Sequence, residues 1–211
     1  MKKLNVVAIS AAVASALLSG AAVADVTANV GATSNYLWRG VSLSNEAAAV
    51  SGGVDYSHAS GAYAGVWQSS EGASGSAETD VYAGFSGEAE GVSYDIGFVS
   101  YMYPQTTPSV DFAEVYFSAG YEFAEFFYAN SSDLELGTGK GSDYMALTLS
   151  YDKFSVVYGD YSFDDSSNDY THVDLGVALT DELSLTYSQN DITGDDDGRL
   201  VIAYGLEFDV K

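Results

Sequence analysis

The sequence predicts an all-β fold: one antiparallel up-and-down transmembrane β-barrel of about twelve strands, ten to fourteen being compatible, behind an N-terminal signal peptide. Three observations lead there. Apolar residues recur with period two down the chain, with almost no helical periodicity. Short and long polar connections alternate between those runs, as they do in barrels of the outer membrane. The polar face of the runs carries Gly, Ala, Ser and Tyr rather than the Lys and Glu of a sheet facing bulk water.

The chain opens "MKKLNVVAISAAVASALLSGAAVAD". Lys2 and Lys3 precede an apolar stretch from Leu4 to Leu18, and Ala22-Val23-Ala24 supplies a small-x-small cleavage pattern. Residues 1–24 therefore read as a signal peptide, and residues 25–211 as the barrel. A short N-terminal membrane anchor is the alternative. After residue 24 no run approaches the eighteen apolar residues of a transmembrane helix.

The strands follow in order. "TDVYAGF" sets Thr79, Val81, Ala83 and Phe85 against Asp80, Tyr82 and Gly84. "VSYDIGF" sets Val92, Tyr94, Ile96 and Phe98 against Ser93, Asp95 and Gly97. "AEVYFSAGY" opposes Val115, Phe117 and Tyr121 to Glu114, Tyr116 and Gly120. "DYMALTLSY" opposes Met145, Leu147 and Leu149 to Tyr144, Ala146 and Thr148. "THVDLGVAL" and "RLVIAYGLEF" place His172, Asp174, Arg199 and Glu207 on the polar side. Short turns fall at 87–91 and 152–153, and longer polar connections at 69–78, 103–109, 131–143, 164–169 and 190–198. Tyr36, Trp38, Trp67, Tyr101, Tyr103, Tyr158 and Tyr161 cluster at strand ends, where an interfacial aromatic girdle is expected. A soluble sandwich shares the periodicity. The girdle, the near absence of Pro and the unbroken succession of strands favour a closed barrel, since lipid cannot satisfy an open sheet edge.

Without Lys2 and Lys3 the chain carries 5 basic residues against 30 acidic ones, a net charge of −25. Such a chain offers no nucleic-acid surface. Its 17 Tyr and 10 Phe argue against a solvated disordered tail, and its lack of Cys rules out a disulfide scaffold.

Arg39 is the conspicuous cation. In "SNYLWRGVSLSN", residues 34–45, it shares a strand face with Leu37 and Val41. A lipid-facing arginine costs about 2–4 kcal/mol at the membrane midplane. A register break at Ser34-Asn35 or snorkelling past Trp38 avoids that cost. The favoured arrangement turns Arg39 into the lumen to meet carboxylates on the faces assigned inward: Asp55, Asp80, Asp95, Glu114, Asp174 and Glu207. Arg39 is then either a constriction charge that sets selectivity or the counter-ion of a buried acidic cluster. Arg199 and Glu207 share the inward face of the last strand, where salt bridges brace narrow barrels. His58 lies beside Ser57 and Ser60, but no nucleophile elbow accompanies either histidine, so no catalytic residue is expected. "DITGDDDGR" lacks the closing Glu of a calcium loop, leaving Asp195, Asp196 and Asp197 as weak metal candidates and no cofactor expected.

"TSNYLWRGVSLSN", then "VSGGVDYSHASGAYAGVWQSS" and "AETDVYAGFSGE", resemble the start of the TorF family of Gram-negative porins. The match rests on Thr33, Ser34, Tyr36, Arg39, Gly40, Ser42 and Ser44, then on Gly52, Gly53, Asp55, Tyr56, His58, Ser60, Gly61, Tyr63, Gly65 and Trp67. Asn35, Leu43, Ser51 and Ala62 depart from the family pattern. The resemblance covers residues 33–88 and implies an outer-membrane channel-like protein with no catalytic residues to transfer.

The expected function is passive diffusion of small cations or small neutral solutes through a narrow acidic lumen, narrowed further by Tyr82, Tyr116 and Tyr144. A closed structural or adhesive barrel acting through acidic loops is the alternative, with a small outer-membrane enzyme behind it. Expected partners are outer-membrane lipid and lipopolysaccharide, the barrel assembly machinery during insertion, and loosely held divalent cations. The sequence leaves the oligomeric state open.

Overall fold

A computed structural model describes residues 25–70, 77–107, 110–131 and 141–210. The expected signal peptide, residues 1–24, lies outside the described residues, as do parts of the polar connections 69–78, 103–109 and 131–143. The strands are β1 (Asp25–Thr33), β2 (Leu37–Trp38), β3 (Val41–Ser42), β4 (Ala49–Ser57), β5 (Ala62–Ser70), β6 (Ala77–Ala89) and β7 (Val92–Met102). They continue with β8 (Phe112–Tyr121), β9 (Ala124–Asn130), β10 (Ser142–Tyr151), β11 (Phe154–Phe163), β12 (Tyr170–Ala178), β13 (Leu183–Asn190) and β14 (Arg199–Asp209).

All but β2 and β3 form one closed barrel of twelve antiparallel strands, each paired with its neighbour in sequence. The barrel closes between β1 and β14, with Val30 opposite Leu206 and Thr33 opposite Ala203. Closure satisfies every strand edge internally, the condition for a sheet without water around it. β2 and β3 pair only with each other.

The alternation seen in the sequence sorts cleanly into two faces. Val81, Ile96, Val115, Phe117, Leu147, Leu175, Leu200 and Ile202 are exposed on the outside, whereas Tyr82, Asp95, Glu114, Tyr116, Tyr144, His172, Arg199 and Val201 are buried. This is a soluble core turned inside out. An apolar belt of that extent suits hydrocarbon and not water.

Turn chemistry differs at the two ends. Two-residue turns join β6 to β7, β8 to β9 and β10 to β11, with Glu90, Glu122 and Asp152 in the left-handed region. The other end carries the longer connections, which leave after Thr33, Ser70, Met102, Asn130, Phe163 and Asn190. Inside the bore, tyrosines lie flat across the neighbouring strand. A Cβ on Gly97 would come within 2.4 Å of the Tyr116 ring, so that ring position requires glycine opposite it.

Candidate functional site

The stretch around Arg39 is not the membrane-crossing strand its alternation predicted. It belongs to the connection between β1 and β4, which folds back into the bore as the β2–β3 hairpin. The apparent alternation of Leu37, Arg39 and Val41 is a two-residue turn. Trp38 pairs with Val41, and Arg39 and Gly40 between them have φ of 50° and 80°. Two successive left-handed residues make the tight turn that matches strand twist. Gly40 is required twice over, because a Cβ there would sit 2.5 Å from the Cβ of His172. The neck is tied by short polar side chains. Ser42 Oγ donates to Asn35 Oδ1 at 2.7 Å, and the Tyr36 N–H donates to Ser44 Oγ at 2.8 Å.

The turn carries Arg39 into a prepared surrounding. Its Nη1 and Nη2 donate to Glu114 Oε1 and Oε2 at 2.8 and 2.7 Å, a parallel bidentate pair. The guanidinium carbon lies 4.3 Å from the centroid of the Trp38 ring, 4.1 Å from Tyr144 and 4.9 Å from Tyr161. Tyr101 donates its hydroxyl to Glu114 Oε2 at 3.2 Å. Arg39 is 5% exposed and Glu114 1%, so this is a desolvated ion pair rather than a surface one. Burial disfavours the arginine's charge, but Glu114 together with Tyr101 and Tyr161 more than offsets it and holds the guanidinium pKa above its ordinary value.

The hairpin reaches the wall on nearly every side. Tyr36 donates to Glu78 Oε1 at 2.6 Å, and Tyr103 donates to the other oxygen of that carboxylate at 2.7 Å. Burial, then the Glu78 charge, raises the Tyr36 pKa well above 10.0 and keeps the phenol a donor. Trp67 packs on Tyr36, and Tyr101 and Phe112 pack on Trp38. Asn190 Nδ2 donates to the Gly40 carbonyl at 2.9 Å. Counting Gly40 against His172, these contacts come from β5, β6, β7, β8, β10, β11, β12 and β13. A segment that touches strands around the circumference lies across the bore.

Towards the short-turn end the bore is acidic. Tyr63 donates to Asp95 Oδ1 at 2.7 Å and also meets the Tyr116 hydroxyl. Tyr82 and Asn29 hold the two oxygens of Asp55. Asp174 stands 3.3 Å from His172 Nδ1, and the His172 Nε2 meets the Tyr144 hydroxyl at 2.8 Å. Glu125 and Glu207 pair with the inward positions Gly120 and Asn29. Asp80, also expected inward, is buried on β6 two residues from Glu78. Among the described residues the cations of the bore are Arg39 and Arg199, both near the long-connection end. Arg199 is paired with Asp195 and lies 3.5 Å from Glu46, not with Glu207.

The expected aromatic girdle needs correction. Tyr36, Trp38, Trp67, Tyr101, Tyr103 and Tyr161 face the bore, where the first four and Tyr161 pack on one another and Tyr36 and Tyr103 hold Glu78. Only Tyr158 of the seven is on the outer surface. The physical reason is parity: Trp67 shares a face with Tyr63, and Tyr101 with Asp95, so neither can reach lipid. In the loop candidate for metal, Asp195 is engaged by Arg199 and Asn190. Among the described residues no group of three His, Asp or Glu is placed to hold a metal ion. His58 and Ser60, 2.9 Å apart, close an exposed turn. Glu78 and Asn29 carry no signal in the sequence, because Glu78 falls within an expected loop and Asn29 carries no charge, and Tyr63 stands out there only through the family resemblance.

Comparison with known proteins adds a family and a fold. The family model described as "Bacterial protein of unknown function (Gcw_chp)" matches residues 18–204. It is this family, not the TorF family that residues 33–88 resemble, that the comparison returns. No curated protein matches. The KdgM porin, solved alone and in complex with disordered oligogalacturonate, superposes with a TM-score of 0.52 at 8% identity, over 90% of this chain and 100% of its own. The NanC porin follows at 0.42 and 9% identity, over 88% and 99%. At that identity the likeness to KdgM is one of fold.

Proposed function

The chain belongs to the Gcw_chp family of bacterial proteins of unknown function, and we propose that this member is an outer-membrane porin. It passes small cations or small neutral solutes by diffusion through an acidic bore that the β2–β3 hairpin narrows. The observation that carries the reading is the charge inside the barrel. Asp55, Asp95, Asp174, Glu125 and Glu207 line the short-turn half, while both arginines of the bore are already ion-paired near the other end. A low-dielectric tube lined by one sign of charge concentrates counter-ions and repels co-ions. The KdgM porin is solved in complex with disordered oligogalacturonate, a polyanion. The carboxylates of this bore favour cations and neutral molecules over such an anion. The outer apolar belt and the closed sheet support residence in the outer membrane, with lipid and lipopolysaccharide as surroundings and the barrel assembly machinery as the route in.

A second reading has its own observation. A hairpin in contact with eight strands also suits a barrel that stays closed and acts through its loops. Liposome swelling separates the two. Vesicles holding refolded protein swell in isotonic glycine betaine or a small neutral sugar if the bore conducts. Vesicles that stay at the rate of protein-free controls, with folded protein present, overturn the porin reading.

A further inference from the structure

We propose that Glu114, Tyr101, Tyr144 and Tyr161 on the wall of the bore form a receptor for a guanidinium group, which Arg39 of the hairpin occupies in cis. Solutes bearing a guanidinium or a similarly flat, delocalised cation enter by exchanging with Arg39. The transport half of this rests on the porin reading; the receptor half does not.

The wall groups are arranged for this one functional group. A carboxylate that accepts two parallel N–H donors recognises the planar fork of a guanidinium, which an ammonium cannot reproduce. The two wall rings, 4.1 and 4.9 Å from the guanidinium carbon, add a stacking surface for a delocalised cation. Tyr101 fixes Glu114 through its hydroxyl. These four groups come from four strands of a closed sheet, β7, β8, β10 and β11, and so keep their places whether or not the hairpin is docked. Arg39 is held instead by the contacts of its hairpin, among them Trp38 on Tyr101 and Phe112 and Asn190 on the Gly40 carbonyl. It stands at the tip of a turn, held in a left-handed conformation that a non-glycine residue adopts only under constraint.

Occupant and receptor are thus unequal. With the hairpin docked and no cation beside it, Glu114 is a buried, uncompensated carboxylate, which is strongly disfavoured. The receptor therefore demands a cation, while nothing in the wall demands that it be tethered. The carboxylates of the short-turn half hold a local excess of cations next to it. A guanidinium solute that binds as Arg39 leaves relieves the buried charge and frees the hairpin to swing out of the bore.

The test uses the full barrel in detergent, with methylguanidine as probe and isothermal titration calorimetry as readout, which does not depend on where the hairpin lies. Wild type carries its own competitor at an effective concentration of millimolar order. Arg39→Ala and Arg39→Gln are expected to bind methylguanidine saturably, about tenfold or more tighter than wild type, and methylammonium about tenfold more weakly than methylguanidine. Adding Glu114→Gln to either variant is expected to abolish binding. Folding of each variant is checked by heat-modifiable gel mobility, and two variants guard against the failure of one. Absence of saturable binding in a folded variant, equal binding after Glu114→Gln, or equal affinity for methylammonium overturns the receptor. Saturable, Glu114-dependent binding by a protein that passes no solute upholds the receptor and overturns the porin reading alone.

Discussion

Replacing Arg39 with Ala should undock the hairpin. The side chain contributes a bidentate pair at 2.7–2.8 Å to a carboxylate that is 1% exposed. Removing one partner of such a buried pair costs about 3–5 kcal/mol, because the other is left charged and unpaired. At about 1.4 kcal/mol per factor of ten, the undocked population rises by about two to three and a half orders of magnitude. Combining Arg39→Ala with Glu114→Gln replaces the stranded charge by an unsatisfied amide, worth about 1–3 kcal/mol, and should recover part of the loss. The assay exploits the absence of cysteine from the chain. A single Leu37→Cys, at a buried position of the hairpin, reacts with a water-soluble maleimide only when the hairpin is out. In that background the labelling rate should rise steeply with Arg39→Ala and less with the double variant. Labelling rates within threefold of each other, or a double variant that labels faster than Arg39→Ala, refute the view that this pair holds the hairpin.

Gly40→Ala meets His172 at 2.5 Å and forbids the turn's left-handed geometry, a strain of about 1–3 kcal/mol. Trypsin should spare Arg39 in wild type and cut after it in the variant, as mass spectrometry of the released N-terminal fragment can report. Because docking raises the Tyr36 pKa, the docked state holds its proton more tightly than the undocked one. Hairpin docking should therefore be full below about pH 10 and weaken as pH rises beyond it, a trend that Tyr36→Phe should reduce; labelling of Leu37→Cys with an alkali-stable reagent reads it. Leu147 faces outward between Tyr158 and Phe126 near the middle of β10. Leu147→Arg should cost about 2–4 kcal/mol in urea titrations of vesicle-embedded protein, far more than the same change at Thr148 on the inner face.

How much of this was legible from the sequence varies with the signal. The strand faces were legible because a pleated strand has period two and nothing else competes with it. Val81 and Phe85 lie outside and Asp80 and Tyr82 inside, as the alternation required. The hairpin was illegible for the same reason. Leu37 to Val41 mimics one alternating strand, and only the Arg39-Gly40 pair signals a turn, through a glycine preceded by a residue rarely found left-handed. That Glu114 receives both Nη1 and Nη2 of Arg39 depends on a turn whose position no alternation encodes. Clustering of aromatics at strand ends does not by itself mark a girdle, because parity decides which face each ring takes. Tyr101 keeps step with Asp95, and Trp67 with Tyr63, whereas Tyr158 keeps step with Val156 on the outside. Applied consistently, that count separates bore from belt.

The measurement that bears most directly on the porin reading is the reversal potential of refolded protein in a planar bilayer under a KCl gradient, for wild type and for a chain in which residues 36–43 are replaced by a short Gly-Ser linker. Discrete conductance steps, larger in the shortened chain, with a reversal potential displaced towards that of potassium in both, are the predicted result. Anion selectivity, or silence from both proteins in their folded state, would contradict it.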